Sequence, residues 1–219
     1  MSSQLNLVVL GKQGAGKGTQ SELLCQRYEL AHVSTGDILR AAIAQGTALG
    51  REVKSILDAG ELVSDDLVNS LVEVRLREPD AAKGAVLDGF PRNTEQAEAL
   101  ERIVGEKGIK LCIYIDLANE IVIERLSSRR VCQVCGTVYK VSDASAVSGV
   151  CEKCGGTVVQ RSDDTPEAIA TRLETFERET LPLLSFYESR GLLVSVDGDQ
   201  TVDAVAGDID ARLAERELL

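Results

Sequence analysis

The chain has 219 residues, the length of one domain with room for small insertions. Its 24 Lys and Arg against 35 Asp and Glu give a formal charge of −11, and four Tyr, three Phe and no Trp offer no stacking platform; both argue against a general nucleic-acid or anionic-membrane binder, though local basic sites stay allowed. No apolar run approaches the roughly 18 residues of a membrane span, and MSSQLNLVVLGKQG lacks the basic start and cleavage region of a signal peptide, so a soluble cytoplasmic protein is expected.

The first expected strand, Leu5–Leu10, runs into GKQGAGKGTQ at Gly11–Gln20, and helical spacing follows over Lys17–Tyr28. In this strand–loop–helix setting Gly11, Gly14, Gly16 and Gly18 let backbone N–H groups converge on phosphate oxygens, the helix N-terminus adds partial positive charge, and Lys17 reaches the outer phosphates. Gly18 follows Lys17 and the hydroxyl comes one place later, at Thr19, so a direct Ser/Thr–Mg²⁺ bond at the usual place is not expected. A weaker strand, Ala31–Val33, holds the single histidine, His32, read as a structural residue; one histidine argues against a two-histidine metal centre.

Helices are expected over Asp37–Gln45, Leu49–Ala59 and Asp65–Glu78, then a strand at Ala85–Leu87, a turn Asp88-Gly89-Phe90-Pro91-Arg92 and a helix at Thr94–Glu106. Ser34-Thr35-Gly36-Asp37 also reads as a helix N-cap. Arg40 and Arg92 can both fork onto one phosphate, and Thr35 and Gln96 can hydrogen-bond a base. A strand at Leu111–Ile115 and a helix at Asn119–Arg129 come next; spacing of i, i+4 puts Arg125 and Arg129 on one helix face.

From about Val131 to Gln160 the rhythm breaks: four cysteines, several Gly and Ser, β-like pieces at Thr137–Val141 and Thr157–Gln160, and no helical period. Cys132-x-x-Cys135 and Cys151-x-x-Cys154, each followed by Gly, are separated by fifteen residues, a spacing for tetrahedral Zn²⁺ with no position left open to substrate. Cys25 and Cys112 fall within helix and strand patterns and read as packing residues. Arg161, Asp163 and Asp164 follow the insertion, Arg172 lies on a helix expected over Pro166–Arg190, and a strand at Leu192–Val196 and a helix at Val202–Glu217 end the pattern. Strands alternating with helices predict a parallel α/β sheet with phosphate ligands at the carboxyl ends of its strands.

GKGTQ at Gly16–Gln20, STGDILR at Ser34–Arg40, DAGELV at Asp58–Val63, LDGFPR at Leu87–Arg92 with Gln96, and the cysteine insertion together resemble the nucleoside monophosphate kinases, adenylate kinases with a metal-bearing lid in particular. The resemblance implies a five-stranded parallel P-loop sheet flanked by helices (1–33, 64–130 and 165–219), a helical AMP-binding insert (34–63) and a small β-rich Cys₄ zinc lid (131–164). It implies reversible transfer, MgATP + AMP ⇌ MgADP + ADP, by a monomer that binds ATP, AMP and ADP, with Mg²⁺ accompanying ATP and a structural Zn²⁺.

By the same resemblance Gly14, Ala15, Gly16, Lys17, Gly18 and Thr19 bind ATP with Arg125, Arg129, Tyr139 and Gln200. Thr35, Arg40, Val63, Gly89, Arg92 and Gln96 bind AMP, joined by Arg161 and Arg172. Lys17, Arg92, Arg129, Arg161 and Arg172 act on the transferring phosphates, Asp88 orients the Mg²⁺ water shell, and Asp163 and Asp164 help the lid close. Two departures are visible: Gln200 stands where many relatives carry Lys, and Gln13 where Pro is usual. A kinase using GTP or another monophosphate stays open, as does, more remotely, a zinc-ribbon P-loop ATPase switch.

Overall fold

The computed structural model describes residues 4–218; residues 1–3 and 219, the outermost positions of the expected core segments, lie outside the described residues. Five short strands, β1 (Leu7–Leu10), β2 (Ala31–Ser34), β3 (Ala85–Asp88), β4 (Leu111–Asp116) and β8 (Leu193–Asp197), form one parallel sheet in the order β2-β3-β1-β4-β8. Their near-continuous apolar runs fit strands covered on both faces. One face is covered by α2 (Thr35–Ala44), α3 (Ala48–Asp58), α4 (Asp65–Leu76), α5 (Thr94–Val104) and α9 (Pro182–Glu188), which with Val8, Leu10 and Leu87 bury Leu39, Val53, Val72, Leu100 and Tyr187. The other is covered by α1 (Lys17–Tyr28), α6 (Asn119–Ser128), α8 (Pro166–Thr175) and α10 (Val202–Glu215), which bury Leu24, Leu126, Ile169, Ile209 and Leu213 against Leu7, Val9 and Ile113.

β1 lies at the centre, with β3 on one side and β4 on the other, so the loop after β1 opens at the point where the connections diverge, the usual place for a ligand in such a sheet. Gly11 there has φ +150°, and a Cβ on it would lie 2.7 Å from the Ile115 carbonyl oxygen; Gly16, at φ +99°, caps the start of α1. Any L-residue at either position would strain the loop.

The cysteine insertion is a separate antiparallel sheet, β6 (Val138–Lys140), β5 (Arg129–Cys132) and β7 (Val158–Val159), in that order. Its buried hydrophobic cluster is only Cys132, Tyr139, Cys151 and Val158. One short helix, α7 (Ala144–Ser148), occurs where no helical period was expected; five residues are too few to show a period.

Two expected helices end differently. Arg129 has extended backbone, φ −68° and ψ 136°, and opens β5, so it does not share a helix face with Arg125. The stretch 166–190 is three pieces: α8, a π-helical turn at Phe176–Thr180 closed by Leu181 N–H on the Phe176 carbonyl, and α9. Pro182 is the cause, because it has no N–H and its ring cannot sit over a regular preceding turn.

Candidate active site

The glycine loop turns its lysine inward. Lys17 Nζ donates to the carbonyl oxygens of Gly11 at 2.8 Å and Lys12 at 3.0 Å. Burial lowers its pKa to about 8; Asp88 works against that shift, while Arg92, Arg129 and Arg172 add to it. The Asp88 carboxylate, at the end of β3, lies beside the start of α1, where a Cβ on Gly18 would be 3.5 Å from Oδ2. Thr19, beyond Lys17, is exposed. His32 in β2 is half-buried with Nε2 3.9 Å from Asp88 Oδ2; burial opposes its charge, yet the carboxylate holds its pKa above the ordinary value.

Around that loop the carboxyl ends of the strands gather guanidinium groups. Arg129 forks onto Asp164, Nε to Oδ2 at 2.8 Å and Nη2 to Oδ1 at 2.5 Å, and the Asp164 side chain is fully buried. Arg172 pairs with Asp163 and lies 3.6 Å from Asp164. Arg92 donates Nε to the Gly89 carbonyl at 2.8 Å, and neither Arg92 nor Arg161 has a carboxylate within ion-pair distance among the described residues. Burial, then neighbouring guanidiniums, push Arg161 and Arg172 below the usual arginine range. Guanidinium keeps its charge regardless, so the crowding amounts to cations short of anions. A polyphosphate is the ligand that relieves it.

Next to these arginines a cleft is lined by Thr35, Leu39, Leu62, Val63, Arg92 and Gln96. Thr35 Oγ1 donates to the Gly89 carbonyl at 2.9 Å. Arg40, at the edge of the group, pairs with Asp37 at 2.5 Å. Gln96 is 1% exposed, with Oε1 accepting from Arg92 N–H at 2.8 Å and Nε2 donating to Asp65 Oδ1 at 2.7 Å. The π-helical turn aims Thr180 here as well, its hydroxyl donating to the Arg92 carbonyl at 2.8 Å. Asp65 and Thr180 have no motif of their own; only the Asp that follows Ser64 and the proline after Leu181 hint at them.

Arg125 Nη2 donates to the Gly198 carbonyl at 3.0 Å, while Gln200 is exposed, its Nε2 bonded to the Asp197 carbonyl at 3.2 Å and to Asp208 Oδ2 at 3.0 Å. Tyr139 lies within the insertion, its hydroxyl 3.1 Å from Cys151 Sγ. The sulfur atoms of Cys132, Cys135, Cys151 and Cys154 all lie within 4.8 Å of one another, a donor set suited to one tetrahedral ion, and Cys25 and Cys112 take no part. Among the described residues no helix is long and apolar enough to cross a membrane.

A P-loop at the divergence point of a parallel sheet, an adjoining cleft and a shared cluster of arginines define a nucleotide phosphotransferase. The family model for adenylate kinase matches residues 9–192. Curated relatives include the adenylate kinase of Geobacillus sp. strain WCH70, 47% identical over 98% of each chain, that of Lactobacillus gasseri, 47% identical over 96% of this chain and 99% of its own, and that of Symbiobacterium thermophilum, 47% identical over 94% and 96%. The chain belongs to the adenylate kinase family, and its activity is reversible phosphoryl transfer among ATP, AMP and ADP. Adenylate kinases use Mg²⁺ with ATP, and the four-cysteine cluster is able to hold a metal.

Proposed function

We propose that the reaction runs in a cytoplasmic monomer with a core of 1–33, 64–130 and 165–219, an AMP-binding insert of 34–63 and a zinc lid of 131–164. The loop Gly14–Thr19 and Lys17 hold the ATP phosphates, with Arg125, Arg129, Tyr139 and Gln200 on the donor side. Thr35, Arg40, the Val63 backbone, Gly89, Arg92 and Gln96 hold AMP. The observation that carries this reading is the group of Lys17, Arg92, Arg129, Arg161 and Arg172, which share one field with fewer carboxylates than cations.

A monophosphate with second pKa near 6 is mostly a dianion at neutral pH, so its oxygen attacks the γ-phosphorus without a protein base. The new oxygen–phosphorus bond forms as the bond to the β-phosphate oxygen breaks, and ADP leaves. Charge on the moving phosphoryl group is met by Lys17 and the arginines, already in place before the reaction, and catalysis is positioning plus electrostatics. Asp88 would orient the waters of the Mg²⁺ that accompanies ATP, an ion that would neutralise phosphate charge. Water as competing nucleophile is kept out while the insert and lid are closed.

Zn²⁺ fits the four thiolates of Cys132, Cys135, Cys151 and Cys154, supplies the lid with the cross-link its small apolar cluster cannot, and leaves no position open to substrate. The test is to incubate the protein with MgATP and each nucleoside monophosphate and to follow diphosphate formation, then to give it ADP alone. AMP as the preferred acceptor and conversion of ADP into ATP plus AMP are expected. Equal rates with UMP or GMP would refute the assignment of Thr35 and Gln96.

A further inference from the structure

We propose that Asp65 is a specificity-determining positioning residue, which fixes the side-chain amide of Gln96 in the one orientation that reads adenine and refuses its 6-oxo counterpart. This rests on the reading of Gln96 as a contact to the acceptor base. A glutamine amide is nearly symmetric in shape and opposite in chemistry at its two ends, so what it recognises depends on which end is which.

Here both ends are assigned by fixed partners. The Arg92 backbone N–H only donates, so the atom 2.8 Å from it is Oε1; the Asp65 carboxylate accepts, so the atom 2.7 Å from Oδ1 is Nε2. Asp65 is itself held from the far side. Asn93 Nδ2 donates to both of its oxygens, at 3.1 and 2.9 Å, while Asn93 Oδ1 accepts from the Gln96 backbone N–H at 2.8 Å. Turning the amide over would set donor against donor at Arg92 and acceptor against acceptor at Asp65, inside a side chain that is 1% exposed.

With both ends pinned, one N–H and one carbonyl lone pair of Gln96 remain for a base in the cleft it lines. Adenine answers that pair with an acceptor at N1 and an amino donor at N6. Hypoxanthine presents the reverse, a donor at N1 and an acceptor at O6, and would be read equally well by an amide free to turn. Discrimination between AMP and IMP therefore rests on the carboxylate behind Gln96 as much as on Gln96.

The experiment compares initial rates with AMP and with IMP as acceptor, at saturating MgATP, for the parent protein, Asp65→Asn and Gln96→Ala. Asp65→Asn keeps the shape but offers one donor and one acceptor, which Asn93 and Gln96 then compete for. Its kcat/KM ratio for AMP over IMP is expected to fall at least tenfold, through a higher KM for AMP, with KM for ATP unchanged. If that variant does not fold, Asp65→Ala, which leaves Asp66 in the first turn of α4, carries the same expectation. A ratio within twofold of the parent in the folded Asp65 variant, while Gln96→Ala collapses it, overturns the role of Asp65 alone. An unchanged ratio in Gln96→Ala overturns the base contact and the proposal with it.

Discussion

The ammonium of Lys17 is held by carbonyl groups of its own loop and lies near three arginines, an arrangement that favours an incoming polyanion over an empty site. Truncating it, Lys17→Ala, should lower kcat by about a hundredfold, on the order of 3 kcal/mol of lost charge stabilisation. Arg92→Ala should in addition raise KM for AMP if Arg92 holds the acceptor before and during transfer, as proposed; steady-state kinetics with each nucleotide varied separates the two. The pKa of about 8 for Lys17 gives a sign as well. In the free protein its charge is lost as pH rises through that value, while bound ATP phosphates favour the charged form, so ATP binding at pH 8 should take up about half a proton and weaken as pH climbs. Calorimetry in buffers of different ionisation enthalpy measures this, and uptake that persists in Lys17→Met would place the titrating group elsewhere. Residues such as Lys17 and Arg92 were legible because each belongs to a run of neighbours in the sequence. Asp65 and Gln96 are 31 positions apart and meet only through folding, and a pair of polar side chains leaves no periodic trace.

The strands and most helices are legible in the sequence because apolar runs and helical periods are local signals, whereas the break before Pro182 leaves the period itself undisturbed. The period continues through 166–190, but the π-helical turn is what brings the Thr180 hydroxyl to Arg92. Helical spacing alone puts Arg129 beside Arg125, whereas the pull of the buried Asp164 carboxylate and of pairing with Lys140 makes it the first residue of β5. The four-cysteine sheet has so few buried apolar residues that its fold should depend on its metal. Stripping with a thiol reagent plus chelator, or Cys151→Ser, should lower the melting temperature by roughly 2–4 °C for each kcal/mol transmitted to the whole chain. Phosphoryl transfer at moderate temperature should persist, since Lys17, Arg40 and Arg92 lie outside the insertion; elemental analysis should find about one zinc per chain. Loss of all activity from a still-folded insertion would assign the metal a chemical role.

For the molecule as a whole, the two proposed moving parts touch directly: Ser162 Oγ donates to Asp58 Oδ1 at 2.7 Å, joining the end of the lid to the last residue of α3. One exposed hydrogen bond is worth about 1 kcal/mol, so Ser162→Ala should shift the ligand-free balance toward the open form roughly fivefold. Fluorescence energy transfer between labels on insert and lid should show the longer distance gaining weight; an unchanged distribution would show that closure does not depend on this contact. The lid also leaves and rejoins the core at almost one place. Val131 pairs with Val159 and Cys132 with Val158, and just below them Arg129 grips Asp164. A segment whose two ends already meet can be lengthened, shortened or exchanged at little entropic penalty to the chain that carries it. The cysteine sheet is thus grafted onto the core rather than threaded through it, so a change in its length can be absorbed without moving the parallel sheet that carries Lys17 and Arg92.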